Sequence, residues 1–305
     1  MNGSDVSILL QALPYIRHHA RATFVIKCGG EIARDPEALE HLATDVALCS
    51  HIGIRLVLVH GGGPQATELS RKLGREPEII QGRRVTDDVS LEVAKMVFAG
   101  QINIDMLGAL RRQGLRAVGL SGVDAGIVDA VRRPETDVED PVTGETRRVD
   151  FGHVGDIRAV DARLLCKLLE EGYLPVVSSL GGDDEGHIYN INADTVAARI
   201  AIEMKADKLI VLTNAPGLLE DPADPASRVS HVSARRCDEL LRSGAIQGGM
   251  VPKIRTLVEA VRGGVARAHI LDGKAPHSLL VELFTKEGTG TMVTTRDEEK
   301  RYLDE

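Results

Sequence analysis

The residues best suited to chemistry are two short glycine loops, two lysines and a run of amides around one carboxylate. Lys27-Cys28-Gly29-Gly30 and His60-Gly61-Gly62-Gly63-Pro64 each follow directly on an apolar run. Glycine lets backbone N–H groups approach an anion with no Cβ in the way, and a helix starting at Pro64 would turn its positive end to the same anion. Neither loop is GxGxxG and no GxxxxGK[ST] stretch occurs, which disfavours dinucleotide and P-loop folds. A tight turn that needs glycine accounts for either loop alone; the two together point to phosphate. Phosphoryl transfer requires cations against the charge that develops on the equatorial phosphate oxygens. Lys27, at the end of the first apolar run, and Lys253, soon after Gly248-Gly249-Met250, are the candidates. Asn190-Ile191-Asn192-Ala193-Asp194 offers two amides and a carboxylate at alternating positions. They are suited to binding a polar ligand and orienting the lysines, or Asn192 or Asp194 caps a helix. Arg84, within Gly82-Arg83-Arg84-Val85-Thr86, is either a bidentate partner for a substrate carboxylate or a surface arginine.

Short apolar runs alternating with helical patterns supply the frame for these residues. The runs at 24–27, 56–60, 117–120, 176–177 and 209–212 are β-branched or Leu-rich, as strands buried on both faces should be. Asp35-Pro36 reads as an N-cap and first helical residue; Leu39, Leu42, Val46 and Cys49 then repeat at helical spacing until Gly53. Further helical patterns cover Leu91–Arg112, Ala162–Glu171, Thr195–Met204, Arg235–Arg242 and Pro252–Arg262. The alternation implies an α/β fold: a mainly parallel sheet sandwiched by helices, with its ligand crevice at the carboxyl ends of the strands. Two segments stand apart. Residues 1–20 form an amphipathic pattern with Val6, Leu9, Leu13, Ile16 and Ala20 on one stripe, and Pro14 is expected to kink it. Its apolar stripe covers either a partner subunit or its own domain. Arg132–Asp150 is charged and broken by Pro134, Pro141 and Gly144, which predicts a hairpin, either a flap over the cleft or a solvated excursion.

Composition narrows the function classes. With no Trp, 3% aromatic residues and a net charge of −8, the chain lacks the stacked aromatics and surplus cations of a nucleic-acid surface. Anionic substrates would need positive charge gathered in one cleft. Cys28, Cys49, Cys166 and Cys237 are far apart and form no CxxC pair, so they read as reduced thiols packed in a core, with no metal or disulfide role. The N-terminus has no basic leader and no apolar run reaches the roughly 20 residues of a membrane helix, so the chain is expected to be cytoplasmic.

In order along the chain, VIKCGG (25–30), LVHGGGP (58–64), GRRVT (82–86), YNINADTVA (189–197), LTNAPGLL (212–219) and GGMVPK (248–253) are together highly specific. On these motifs the sequence resembles the amino-acid kinase family over essentially its whole length, and within it the members acting on N-acetyl-L-glutamate in arginine biosynthesis. The resemblance implies an open three-layer αβα sandwich: an oligomerisation helix (1–22), an N-lobe for the amino-acid substrate and dimer contact (23–182) and a C-lobe for ATP (183–305). It implies that Lys27 and Lys253 stabilise the transferring phosphoryl group and that Asp194 holds the lysines. Gly62, Gly63, Arg84 and Asn190 would bind the acylated amino acid. Gly29, Gly30, Asn214, Gly217 and Gln247 would bind the nucleotide, with Mg²⁺ carried by ATP and no resident metal. The segment 7–20 and the stretch 268–293 resemble an arginine-inhibited subgroup. That likeness implies a hexamer built as a trimer of dimers, and an arginine site at Tyr15, Lys208, His269 and Glu282. The alternatives are another acyl-phosphate-forming amino-acid kinase, or a kinase-like arginine sensor without turnover. The chain departs from the family's usual pattern with Cys28 in place of a tyrosine, Glu31 in place of a small or amide residue, Asn214 in place of an aspartate, and Ser178-Ser179-Leu180 in place of a Pro-containing turn.

Overall fold

The structure is a computed structural model that describes residues 3–80, 83–139, 145–221 and 223–295. The chain opens with α1 (Gly3–His19), β1 (Thr23–Cys28), α2 (Gly30–Arg34), α3 (Pro36–His51), β2 (Arg55–His60) and α4 (Gly63–Lys72). A short ladder of β3 (Ile79–Ile80) and β4 (Arg83–Arg84) precedes α5 (Asp88–Ala94), which passes through a π-helical segment (Lys95–Ile102) into α6 (Asn103–Arg112). Next come β5 (Ala117–Ser121), β6 (Val128–Arg132), β7 (Thr136–Glu139), β8 (Thr146–Val149), β9 (Gly155–Val160), α7 (Arg163–Glu170) and β10 (Leu174–Ser178). The remainder holds β11 (Leu180–Gly182), β12 (Ile188–Asn190), α8 (Ala193–Glu203), β13 (Lys208–Thr213), β14 (His231–Ser233) and α9 (Ala234–Arg242). It ends in α10 (Met250–Arg262), β15 (Arg267–Asp272), α11 (Ser278–Phe284) and β16 (Thr291–Thr294).

All five apolar runs become strands of one eight-stranded sheet, in the order β14-β16-β15-β13-β1-β2-β10-β5. Its neighbours pair in parallel except β15 with β16, so the expected mainly parallel sandwich is what forms. Side chains alternate between the faces of a strand. Phe24, Ile26 and Cys28 of β1 enter the core beneath α3, α6 and α11, while Val25 enters the core beneath α8 and α10. Lys27 shares the parity of Val25 and so faces the α8 layer. Cys28 points into the opposite layer, away from Lys27; Cys49 and Cys237 are buried as expected, but Cys166, on α7, is exposed.

Asp35 caps α3 as its sequence indicated, accepting from the Glu37 and Ala38 N–H groups, with Pro36 at the first helical position. The helix Asp88–Arg112 is 25 residues long and apolar enough to cross a membrane by composition, but half of its most apolar window is buried inside the protein, as in a core helix. The C-terminal end of α1 docks on its own chain. His19 Nε2 donates to the Leu283 carbonyl at 3.1 Å, and its ring meets Phe24 and Phe284 edge-on. Upstream, Leu10 and Leu13 are 63% and 36% exposed. The charged insertion does form a hairpin, β7 with β8, and Val138, Val149, Phe151 and Val154 share a small core with Ile80. Residues 140–144, with Pro141 and Gly144, lie outside the described residues, as do 1–2 and 296–305.

Candidate active site

Register brings the two glycine loops together. Cys28 pairs with His60, and His60 with Ser178, so β1, β2 and β10 end level and their loops emerge side by side. The first loop runs into α2 and the second into α4. Part of the demand for glycine is packing. A Cβ on Gly62 would stand 2.4 Å from Ile102 Cδ1, and one on Gly30 would stand 2.8 Å from Pro64 Cδ. Gln65 Nε2 donates to the Gly30 carbonyl at 2.8 Å, tying one loop to the other. Gly29 and Gly63 are different: a Cβ would meet nothing closer than 3.4 Å at Gly29 and nothing within 4 Å at Gly63.

Opposite these loops lies the start of α8. Asn192 Oδ1 caps the helix by accepting from the N–H groups of Asp194 and Thr195, and Asp194 meets the lysines. Lys27 Nζ is 2.7 Å from Asp194 Oδ1, and Lys253 Nζ, from the first turn of α10, is 3.6 Å from Asp194 Oδ2. Burial opposes charge on Asp194, but the two ammonium groups outweigh it and hold the carboxyl below its ordinary range. Two cations against one anion leave net positive charge where an anionic group would bind. Lys27 Nζ also lies 3.8 Å from the place a Cβ on Gly29 would occupy, beside the first loop. Glu31, a departure that would put negative charge among phosphates, is exposed on α2.

Arg84 leans on the second loop. Its Nη2 donates to the Gly63 carbonyl at 3.1 Å and to Thr67 Oγ1, while Nη1 is buried without a hydrogen-bond partner among the described residues. Burial and the nearby charge of Arg71 lower its affinity for its proton. Two residues on, Thr86 is clamped by backbone hydrogen bonds with Phe151 and His153, and Asn190 Nδ2 donates to its hydroxyl at 3.1 Å. The described residues therefore form two groups: Lys27, Lys253 and Asp194, and Gly62, Gly63 and Arg84 with Asn190 joined through Thr86.

The residues expected to hold a nucleotide are more dispersed. Asn214 is exposed just beyond β13. Gly217 has φ 131°, where an L side chain is strained, and a Cβ there would stand 2.5 Å from Thr291 Oγ1, which accepts from the Leu218 N–H. Gln247 is exposed, its amide donating to the Gly244 carbonyl at 3.2 Å. Among the described residues no group of three or more His, Cys, Asp or Glu side chains is arranged to hold a metal.

Lys208, His269 and Glu282 come together on the α11 side of the sheet. His269 Nδ1 donates to Glu282 Oε1 at 2.7 Å and Lys208 Nζ lies 3.4 Å from His269 Nε2, an arrangement that a neutral ring satisfies. Glu282 Oε2 accepts from the N–H groups of Thr289 and Gly290. Burial works against the Glu282 charge, yet these bonds hold its pKa at about 2. Tyr15 is half-buried on α1, one turn before the docked His19. Gln65, Thr67 and Thr86 carry part of the site without having been singled out in the sequence; Thr86 closes the GRRVT motif, while Gln65 and Thr67 lie just beyond the second glycine loop, in the first turns of α4.

The chain matches the model of the amino acid kinase family over residues 22–272. It is 44% identical over 289 residues to the acetylglutamate kinase of Methanothermobacter thermautotrophicus, covering 95% of this chain and 99% of that one. It is 46% identical over 287 residues to that of Symbiobacterium thermophilum, covering 94% and 96%. Among solved structures it is similar to N-acetylglutamate synthase from Neisseria gonorrhoeae complexed with coenzyme A and N-acetyl-glutamate, with TM-score 0.81 and 31% identity; it spans 95% of this chain but 63% of the synthase chain. Carbamate kinase from Giardia lamblia bound to AMP-PNP shares the fold, with TM-score 0.62 and 17% identity. The chain belongs to the amino acid kinase family.

Proposed function

We propose that the protein is a cytoplasmic enzyme that uses MgATP to phosphorylate the side-chain carboxylate of N-acetyl-L-glutamate, on the route to arginine. The observation that carries this reading is the convergence of Lys27 and Lys253 on buried Asp194, beside two level glycine loops. The names of the relatives supply the substrate. Gly62, Gly63, Arg84 and Asn190 hold the acylated amino acid, Arg84 pairing with a carboxylate. Gly29, Gly30, Asn214, Gly217 and Gln247 hold the nucleotide. The acceptor carboxylate is already ionised at neutral pH, so no residue has to remove a proton. Its oxygen forms a bond to the γ-phosphorus as the bond from that phosphorus to the β-bridging oxygen breaks, giving an acyl phosphate and ADP. Lys27 and Lys253 neutralise the charge that spreads over the transferring group, and Asp194 holds both ammonium groups in place before substrate arrives. Both Asp194 oxygens are engaged by lysines, which fits a metal ion that arrives with ATP rather than one held by the protein.

Arginine acts as feedback inhibitor in this reading, at Lys208, His269 and Glu282 beside the docked end of α1, with Tyr15 on the same helix. Glu282 is the natural partner of a guanidinium group, but its oxygens already accept three hydrogen bonds, so arginine must displace some of them. The exposed Leu10 and Leu13 of α1 bind the α1 of a neighbouring dimer, building a hexamer as a trimer of dimers. Turnover with and without L-arginine tests both halves: inhibition is expected, and turnover that ignores arginine would discard the regulatory half alone.

A further inference from the structure

Behind the second glycine loop lies a polar pair that the reaction does not use directly. His60, the last residue of β2, is fully buried, and Asn103, the first residue of α6, is nearly so. Asn103 Nδ2 lies 3.1 Å from the Leu120 carbonyl, 3.2 Å from the Val176 carbonyl and 3.2 Å from His60 Nε2. The two backbone carbonyls identify that atom as the amide NH₂; an amide nitrogen cannot accept a hydrogen bond, so the His60 Nε2 facing it must carry a lone pair rather than a proton. The proton of the neutral ring then sits on Nδ1, which donates to the Gly61 carbonyl at 3.0 Å. The next peptide is planar and trans, so fixing that carbonyl towards His60 sends the Gly62 N–H the opposite way. That N–H makes no hydrogen bond among the described residues. Gly61 itself packs against the residue before Asp194: a Cβ on it would lie 3.2 Å from that of Ala193.

We infer that Asn103 and His60 are positioning residues for the bound amino acid: Asn103 selects the Nδ1–H form of His60, which locks the Gly61–Gly62 peptide so that its N–H is offered to the substrate. The inference rests on the reading that Gly62 and Gly63 hold N-acetyl-L-glutamate. Burial keeps the ring neutral, lowering its pKa to about 4, so the device works unchanged across the physiological range.

Two substitutions divide the ring's functions. His60→Asn keeps a donor near the Nδ1 position; His60→Gln keeps an acceptor for Asn103 but loses the donor to Gly61. His60→Gln should raise KM for N-acetyl-L-glutamate about tenfold, the loss of one well-placed hydrogen bond, with KM for ATP within about twofold. His60→Asn should stay within about threefold of the parent on both. Equal effects of the two substitutions, or parallel rises in both KM values, would show a merely structural role and overturn the inference. A parent enzyme that forms no acyl phosphate from N-acetyl-L-glutamate would instead overturn the substrate reading. Tautomer assignment needs neither turnover nor a folded variant: with ¹⁵N-histidine in the intact protein, His60 should remain Nδ1–H from about pH 5.5 to 8. An Nε2–H ring, or one that titrates in that range, would contradict the geometry described.

Discussion

One buried carboxylate organises the charges of the site. Lys27→Ala and Lys253→Ala should each lower kcat by about a hundredfold or more, as expected for removing a preorganised charge on the transferring group. Steady-state kinetics with the melting temperature as control checks this, and near-normal turnover in either variant would remove that lysine from the mechanism. Asp194→Asn should cost stability as well as rate, on the order of 3 kcal/mol, because it leaves two cations without their partner. Denaturant unfolding measures that loss. At this scale much was legible: Lys27 stood out because it closes an apolar run, and Asn192 and Asp194 because polar residues crowd one short stretch. Which of the two caps the helix was not legible, since helix capping and lysine binding use the same residue types. The face of each strand residue was equally hidden until pairing showed that Lys27 and Cys28, adjacent in the motif, serve opposite layers.

Elements that run long and apolar were readable from pattern, and the short polar ones were not. β6, β9, β11 and β12 form a four-stranded second sheet from segments rich in glycine and charge. The π-helical segment Lys95–Ile102 sits inside a helix that periodicity read as continuous. A π turn takes in an extra residue, which rotates the following side chains without any residue type to announce it. It brings Phe98 and Ile102 against Gly62, so Gly62→Ala should destabilise the fold as well as weaken substrate binding, seen as a lower melting temperature and a raised KM for the amino acid. The docked end of α1 carries its own signature. Burial, then the charge of Lys208, lowers the His19 pKa to about 3 from its ordinary 6.5. The unfolded chain therefore binds a proton that the folded chain refuses, and the stabilisation is complete above about pH 6.5 and lost progressively as pH falls towards 3. His19→Gln, which keeps a donor for Leu283, should flatten the fall of melting temperature between about pH 7 and 5; curves that run parallel to the parent's would contradict this.

Across the whole molecule, the sheet joins strands from both proposed lobes without a break, β13 pairing directly with β1. The loops proposed to hold nucleotide and substrate therefore share one carboxyl edge, and the lysines that meet Asp194 beside them come from β1 and α10. The proposed hexamer depends on the other end of the chain, where Leu10 and Leu13 of α1 are exposed. Removing residues 1–20 should convert hexamers into dimers that still turn over, as judged by light scattering with activity; a truncated protein that stays hexameric would show that α1 is not the link. The central claim, carboxylate phosphorylation, is tested most directly by trapping acyl phosphate as its hydroxamate, with N-acetyl-L-glutamate and MgATP. The account predicts ATP-dependent hydroxamate from the parent protein and its near-complete loss in Lys27→Ala. A folded parent protein that forms no hydroxamate, or a Lys27→Ala variant that forms as much as the parent, would contradict it.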